Sequence, residues 1–529
     1  MRPAFTFTEI REAERTIIEK EGIPSLILME NAGKNTFDVI SSLYPDLDER
    51  TIIAVCGKGN NSGDGFVIAR NFLINSIPVE IYNLSLPGEL KGDALVNYEI
   101  LLKMNSSLCS IYNVSAGESD VLFKRLKNIK GKALIIDALL GSGIKGEVKG
   151  LYKDVIENIN LSKRKNLKLD VVSVDVPSGL GMEYHTETII DSCHTVTMGA
   201  IKTNLLFGSG KENSGQLYVV SIGITNDCFE RANIYGKFLV EESDVKGLFP
   251  KRKKTSYKYS NGKALVIGGS KGLSGAIIMS SLAALKSGAG AVLAAFPRSV
   301  SAHFSRKLAE VIKTELDETP DGSIAGDSYA GLQKQLSKAD AVLIGPGFSL
   351  NSESANFLFD IIENVKSPLV IDADALTLLA GNIEILNRRK SSAEIILTPH
   401  IGEFAKLSGR TTEEITANRF EKASEFAKKY NVNVVLKSET SISCTREGKI
   451  YINNSGNEQL GSAGSGDVLS GIIVSLLAQT GNPFTAMVCG NYIHGMLAES
   501  YYNKFGNKQS ASQQDLIKFI PNVITGILS

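Results

Sequence analysis

The chain has 529 residues, 43% of them hydrophobic, and a formal net charge of zero. That length exceeds one ordinary domain and predicts two large ones, each able to bury a full core without staples. A neutral chain projects no global field toward nucleic acid or an acidic membrane, so neither is an expected partner.

The N-terminus, MRPAFTFTEIREAER, has no apolar signal core, and no uninterrupted apolar run has the length of a membrane span; a soluble, cytoplasmic protein is expected. Helices are predicted over Glu9–Glu21 and Gly65–Asn75, and strands over Thr51–Cys56, Val79–Leu84, Ala133–Asp137, Val171–Asp175 and Thr195–Met198. Strands that are apolar throughout and alternate with helices imply a parallel sheet covered on both faces. Ligands of such sheets bind beyond the carboxyl ends of the strands, and three polar motifs stand there: GKGNNSGDG (57–65), DALLGSGIKGE (137–147) and SVDVPSGL (173–180). The first resembles a dinucleotide fingerprint only in part, because Ser62 stands where the third glycine belongs. A strand-end acid such as Asp137 or Asp175 is often a turn or cap residue. Three polar strand ends from one sheet favour convergence on one crevice.

The apolar pattern lapses at Glu241–Asp244, and the basic cluster Lys251–Lys254 follows, so residues 241–260 are expected to be a linker between domains 1–240 and 261–529. A second series of strands is then predicted at Ala264–Ile267, Ala291–Ala295, Ala341–Ile344, Leu369–Asp372, Ile395–Leu397 and Val432–Lys437. Helices are predicted at Ala276–Ser287, Glu353–Asn364 and Val468–Ala478. The strongest motif is GSAGSGDVLSG (461–471): a glycine-rich turn, an acid, then an apolar helix. Amides of Ala463 to Gly466 would form a nest for a phosphate oxyanion, with Asp467 placed to take a proton from an attacking hydroxyl. The six cysteines, Cys56, Cys109, Cys193, Cys228, Cys444 and Cys489, contain no CxxC pair, which predicts reduced thiols. His185, His194, His303 and His494 lack metal-ligand spacing.

On GKGNNSGDG, DALLGSGIKGE and VDVPSGL, residues 5–230 resemble the NAD(P)H-hydrate epimerase family. The resemblance implies that Asn60, Asn61, Ser62, Gly63 and Asp64, with Gly141, Ser142, Gly143, Ile144, Lys145, Gly146 and Glu147, hold a hydrated nicotinamide cofactor. It also implies that Asn61, Asp137 and Ser178 coordinate a potassium ion, and that Asp175 binds substrate and acts as acid/base. The family usually has a glycine where Ser62 stands, so this turn is expected to be stiffer.

On GSAGSGDVLSG together with GGSKGLSGA (268–276), IGPGF (344–348), IDADAL (371–376) and LTPHIGEFAKL (397–407), residues 245–525 resemble the NAD(P)H-hydrate dehydratase family. By that resemblance Ala276, Gly347, His400 and Asp467 contact the hydrated cofactor. Lys437, Ser438, Glu439, Thr440, Ser441 and Gly466 contact the adenine nucleotide. Ser438 replaces the family's usual glycine and Ser441 its usual threonine. Asp372 and Asp374 either organise magnesium and phosphate or cap Ala375–Ala380. The implied fold class is α/β: an N-terminal Rossmann-like and a C-terminal ribokinase-like three-layer domain. The implied function is repair of hydrated NADH and NADPH, in which the two epimers interconvert and the S form is dehydrated with ADP, or with ATP in the alternative. A homo-oligomer is expected. The rival reading is a small-alcohol kinase fused to a ligand-binding domain.

Overall fold

A computed structural model of the chain describes every residue except 86, 116–118, 145, 183–185, 225–228, 230–235, 258–259, 303 and 305–307. Lys145, Cys228, His185 and His303 therefore lie outside the described residues. The chain divides into two compact units, Pro3–Tyr235 and Gly236–Ser529, the latter together with Met1–Arg2. The division lies upstream of the expected linker. The polar residues that suggest a break are a helix cap: Glu241 and Asp244 form a capping box for Glu242–Leu248, and Val245 and Phe249 enter the core of the C-terminal unit.

The N-terminal unit is built on seven parallel strands in the spatial order Cys109–Asn113, Val79–Asn83, Thr51–Cys56, Ala133–Ala138, Leu169–Val174, His194–Met198, Gln216–Val220. Both faces are buried, as the unbroken apolar runs require. Ile52, Ala54 and Cys56 enter one core, while Ile53 and Val55 enter the other. From Thr51–Cys56 the chain first builds outward on one side, then returns to pair Ala133–Ala138 on the other. That reversal opens a crevice above the carboxyl ends of these two strands, where an open α/β sheet binds its ligand. The expected helix Gly65–Asn75 starts earlier, at Asn60. Ser62 therefore occupies a helical position, its Oγ donating to the Gly59 carbonyl at 2.6 Å. A Cβ is at home there, which removes the expectation of a stiffened turn. The sequence reading also missed the helix Ser25–Leu43 and two edge strands, Cys109–Asn113 and Gln216–Val220.

The sheet of the C-terminal unit has the order Ile312–Leu316, Ala291–Pro297, Lys263–Ile267, Ala341–Ile344, Leu369–Ile371, Ile395–Leu397, Asn433–Leu436, Ser441–Cys444, Ile450–Asn453, Lys237–Leu239. Ser441–Cys444 runs antiparallel to both neighbours, and the other pairs are parallel. The segment expected to hold nucleotide, Lys437–Ser441, is thus the turn of a hairpin. The helices Ser274–Lys286, Ser465–Thr480, Pro483–Phe505 and Gln513–Leu528 share one apolar core with this sheet. Among the described residues no helix is long and apolar enough to cross a membrane.

Candidate active sites

The N-terminal crevice is a cleft of about 940 Å³. Asn60, Asn61 and Asp64 reach it from the first turn of helix Asn60–Ile74, Gly141 to Ile144 from the loop after Ala133–Ala138, and Asp175 from the end of Leu169–Val174. Gly57 lets the two loops meet, because a Cβ there would lie 2.0 Å from the Leu139 carbonyl oxygen. Ser62, Gly63, Gly146 and Glu147 do not line the cleft; Gly63 packs on Met29, and Glu147 accepts the Glu187 amide at 3.2 Å.

Beneath the floor, Asp137 is fully buried. It accepts bonds from Ser173 Oγ at 2.6 Å, from the Ser178 amide at 2.9 Å and from Ser178 Oγ. Burial raises its pKa, and these donors partly offset the rise. Asn61 donates to the Leu140 carbonyl at 3.2 Å, while its buried Oδ1 has no hydrogen-bond partner. A buried orphan acceptor is costly unless something occupies it.

Asp175 sits at φ +68°, a strained backbone for a non-glycine residue and a mark of functional positions. Its Oδ1 takes Lys202 Nζ at 2.5 Å and the Met198 amide at 3.2 Å. Lys202 is buried and also bonds Thr197 Oγ1 at 3.0 Å and the Met198 carbonyl at 2.8 Å. Sequence reasoning missed Lys202, whose only signal is a lysine between the apolar runs of GAIKTNLL. It also missed Glu14, which lines the cleft with Arg11 from the N-terminal helix. Burial, then the charge of Asp175, pushes the Asp64 carboxyl well above its ordinary range; burial raises Glu14 as well.

The C-terminal cavity, about 450 Å³, gathers Asp372, His400, Lys437, Ser438, Ser441, Gly466 and Asp467. Helix Ser465–Thr480 begins three residues before the expected Val468, with Gly464 as its N-cap at φ +87°. Asp467 thus lies in the first turn and is not the cap. Burial, reinforced by Asp372, pushes its carboxyl up to about 7. Lys437 Nζ bonds Asp372 Oδ1 at 2.9 Å and stands 4.0 Å from Glu403. Burial opposes its charge, but these carboxylates outweigh it and raise its pKa. A Cβ on Gly466 would lie 3.1 Å from that Nζ, so the glycine keeps the ammonium against the helix terminus.

Asp372 serves Lys437, and Asp374 accepts the Ser349 amide at 2.9 Å. Neither side chain caps the helix Asp374–Ala380. Glu439 and Thr440 face elsewhere, Glu439 onto Arg419 and Thr440 onto Asn454. Ala276 and Gly347 adjoin each other, a Gly347 Cβ lying 3.2 Å from that of Ala276, but they do not line the cavity. His494, dismissed in sequence as a metal ligand, lines it with Nε2 3.2 Å from Ser465 Oγ. Burial lowers its pKa to about 4, which keeps the ring neutral.

Two α/β units, each built on a largely parallel sheet with acids gathered around a lysine beyond the strand ends, define an α/β enzyme with two candidate active sites. Residues 25–204 match the family described as YjeF-related protein N-terminus, and residues 264–522 match NAD(P)H-hydrate dehydratase. A bifunctional NAD(P)H-hydrate repair enzyme of Moorella thermoacetica is 34% identical over 99% of this chain and 96% of its own length. Its Escherichia coli counterpart is 31% identical over 94% and 90%. The chain belongs to the family of bifunctional NAD(P)H-hydrate repair enzymes. The solved ADP/ATP-dependent NAD(P)H-hydrate dehydratase of Bacillus subtilis, co-crystallised with ATP and Mg2+, is 25% identical and covers 56% of this chain and 99% of its own, with a TM-score of 0.47.

Proposed function

We propose that the N-terminal cleft interconverts the R and S hydrates of NADH and NADPH, and that the C-terminal cavity dehydrates the S form at the expense of ADP, with ATP as the alternative. The observation that carries the second activity is Asp467: a half-buried carboxylate lining the cavity in the first turn of a glycine-led helix, with its pKa near neutrality. A base poised there takes the ring hydroxyl proton. The hydroxyl oxygen bonds the terminal phosphorus of ADP and AMP departs. The ring nitrogen lone pair then expels phosphate, and loss of a ring proton restores the dihydronicotinamide. The amides around Gly464–Gly466 and the Lys437 ammonium face the charge on the transferring group. His400 holds the hydrated ring side, and the Ser438–Ser441 turn holds the nucleotide. Magnesium would enter with the nucleotide phosphates and offset their charge. The Asp372 carboxylate, which lines the cavity beside Lys437, would hold it.

In the N-terminal cleft Asp175 is the acid/base, held in place by Lys202. Asn61, Asp137 and Ser178 suit a potassium ion: the orphan Asn61 Oδ1 supplies a neutral oxygen and Asp137 the negative charge. The ion would offset the crowded carboxylates of the cleft. The test is incubation of the chain with mixed hydrate epimers and ADP or ATP. Recovery of reduced-cofactor absorbance from the whole pool, with free phosphate released, supports the reading. A stable phosphorylated product without recovered absorbance overturns it in favour of a small-alcohol kinase.

A further inference from the structure

His400 is an unusual helix cap. Its Nδ1 accepts the amides of Gly402 at 3.0 Å and Glu403 at 3.3 Å, opening the helix Ile401–Ser408. An acceptor at Nδ1 needs a lone pair, so the neutral ring must carry its proton on Nε2. Gly402 makes the arrangement possible, because a Cβ there would stand 3.0 Å from His400 Cε1 and 3.3 Å from Nδ1. Glu403 closes the box from the other side: its Oε2 accepts the His400 amide at 2.8 Å, and its Oε1 lies 3.6 Å from Nε2.

The same carboxylate faces Lys437, 4.0 Å from Oε2. The two chain segments are also stitched together by backbone. The Lys437 amide donates to the Pro399 carbonyl at 2.8 Å, and His400 bridges Lys437 in parallel register. One partly buried acid therefore touches both the histidine and the lysine of the cavity.

We propose that Glu403 is a positioning residue for both substrates of the C-terminal cavity. Its backbone amide, with that of Gly402, fixes His400 as an Nε2–H donor toward the hydrated ring, and its carboxylate charge steadies the Lys437 ammonium toward the nucleotide phosphates. The identity of these two ligands rests on the dehydratase reading; the tautomer does not. The two functions separate by substitution. Glu403→Gln keeps an oxygen for the His400 amide but removes one of the two carboxylate charges beside Lys437, that of Asp372 remaining. Gly402→Ala pushes the imidazole off its amides and leaves both charges in place.

The experiment combines kinetics with long-range proton–nitrogen NMR of the histidine-labelled full chain, the His400 signals being assigned by His400→Gln. The expected spectrum places the His400 proton on Nε2 in the wild type and in Glu403→Gln, with mixed tautomers in Gly402→Ala. In kinetics Glu403→Gln raises the nucleotide KM roughly tenfold and leaves the hydrate KM within about twofold, whereas Gly402→Ala does the reverse. A wild-type His400 with its proton on Nδ1 overturns the proposal. So does Glu403→Gln that moves both KM values equally or neither. If Gly402→Ala does not fold, the spectrum of the wild type and the kinetics of Glu403→Gln still decide. A wild-type chain that shows the Nε2–H tautomer but no dehydration sinks the dehydratase reading, and the spectrum still judges the histidine.

Discussion

Both cavities hold a lysine bonded to one carboxylate, yet they use the pair in opposite ways. In the N-terminal cleft Lys202 bonds Asp175, the proposed acid/base itself, at 2.5 Å. In the C-terminal cavity Lys437 bonds Asp372 at 2.9 Å and leaves Asp467 without that partner, so burial carries Asp467 up to about 7. The difference matches the chemistry proposed for each. A group that relays a proton between two faces of one ring gains from being anchored. A base that must capture a hydroxyl proton gains from a pKa near the working pH.

The comparison breaks most sharply at Asp467. Asp467→Asn is expected to lower the dehydration kcat by roughly 10³-fold, with nucleotide affinity held within about twofold, as read by single-turnover kinetics and calorimetry. Equal loss of both would make Asp467 a binding residue. Next, Lys202→Met removes the anchor: epimer exchange should fall by on the order of 10²-fold, and unfolding should require roughly 3 kcal/mol less, because Asp175 is left partly buried and unpaired. Dehydration of pure S hydrate should be unchanged in that variant, which denaturant titration and the two assays check together.

A gentler probe is pH. Dehydration needs ionised Asp467, so its rate should rise with pH and level off above about 7, and Asp372→Asn should shift the rise to lower pH. The stability sign is opposite. Folded Asp467 binds its proton more tightly than the unfolded residue, so between its ordinary carboxylate value and about 7 this group makes folding less favourable as pH rises, a slope that Asp467→Asn should remove. The smallest effect is expected at Ser438. Its Oγ closes the hairpin turn onto the Thr440 carbonyl at 2.6 Å, and Ser438→Gly should change nucleotide KM by no more than about threefold.

Much of the site was legible because the chemistry sits at strand ends, and strand ends show in sequence as an apolar run broken by glycine and an acid. Asp137 and Asp175 follow that pattern, whereas Asp467 shows as an acid between a glycine-rich turn and an apolar helix. Glu403 did not show, because a histidine in place of serine or threonine hides the capping box. Lys202 did not show, because an isolated lysine between apolar residues has the same pattern whether it is exposed or buried. The helix Pro483–Phe505 was missed for a related reason: it is buried on nearly every side and so lacks an amphipathic stripe.

By itself the sequence determined two α/β units, the carboxyl ends that carry their chemistry and the acids placed there, since apolar periodicity and glycine spacing are local properties. Only the tertiary structure decided which acid each lysine neutralises, which carboxyls keep their protons and where the helix termini begin. Those depend on burial and on charges brought together from residues as distant as Asp372, Lys437 and Asp467, and no local pattern encodes that meeting.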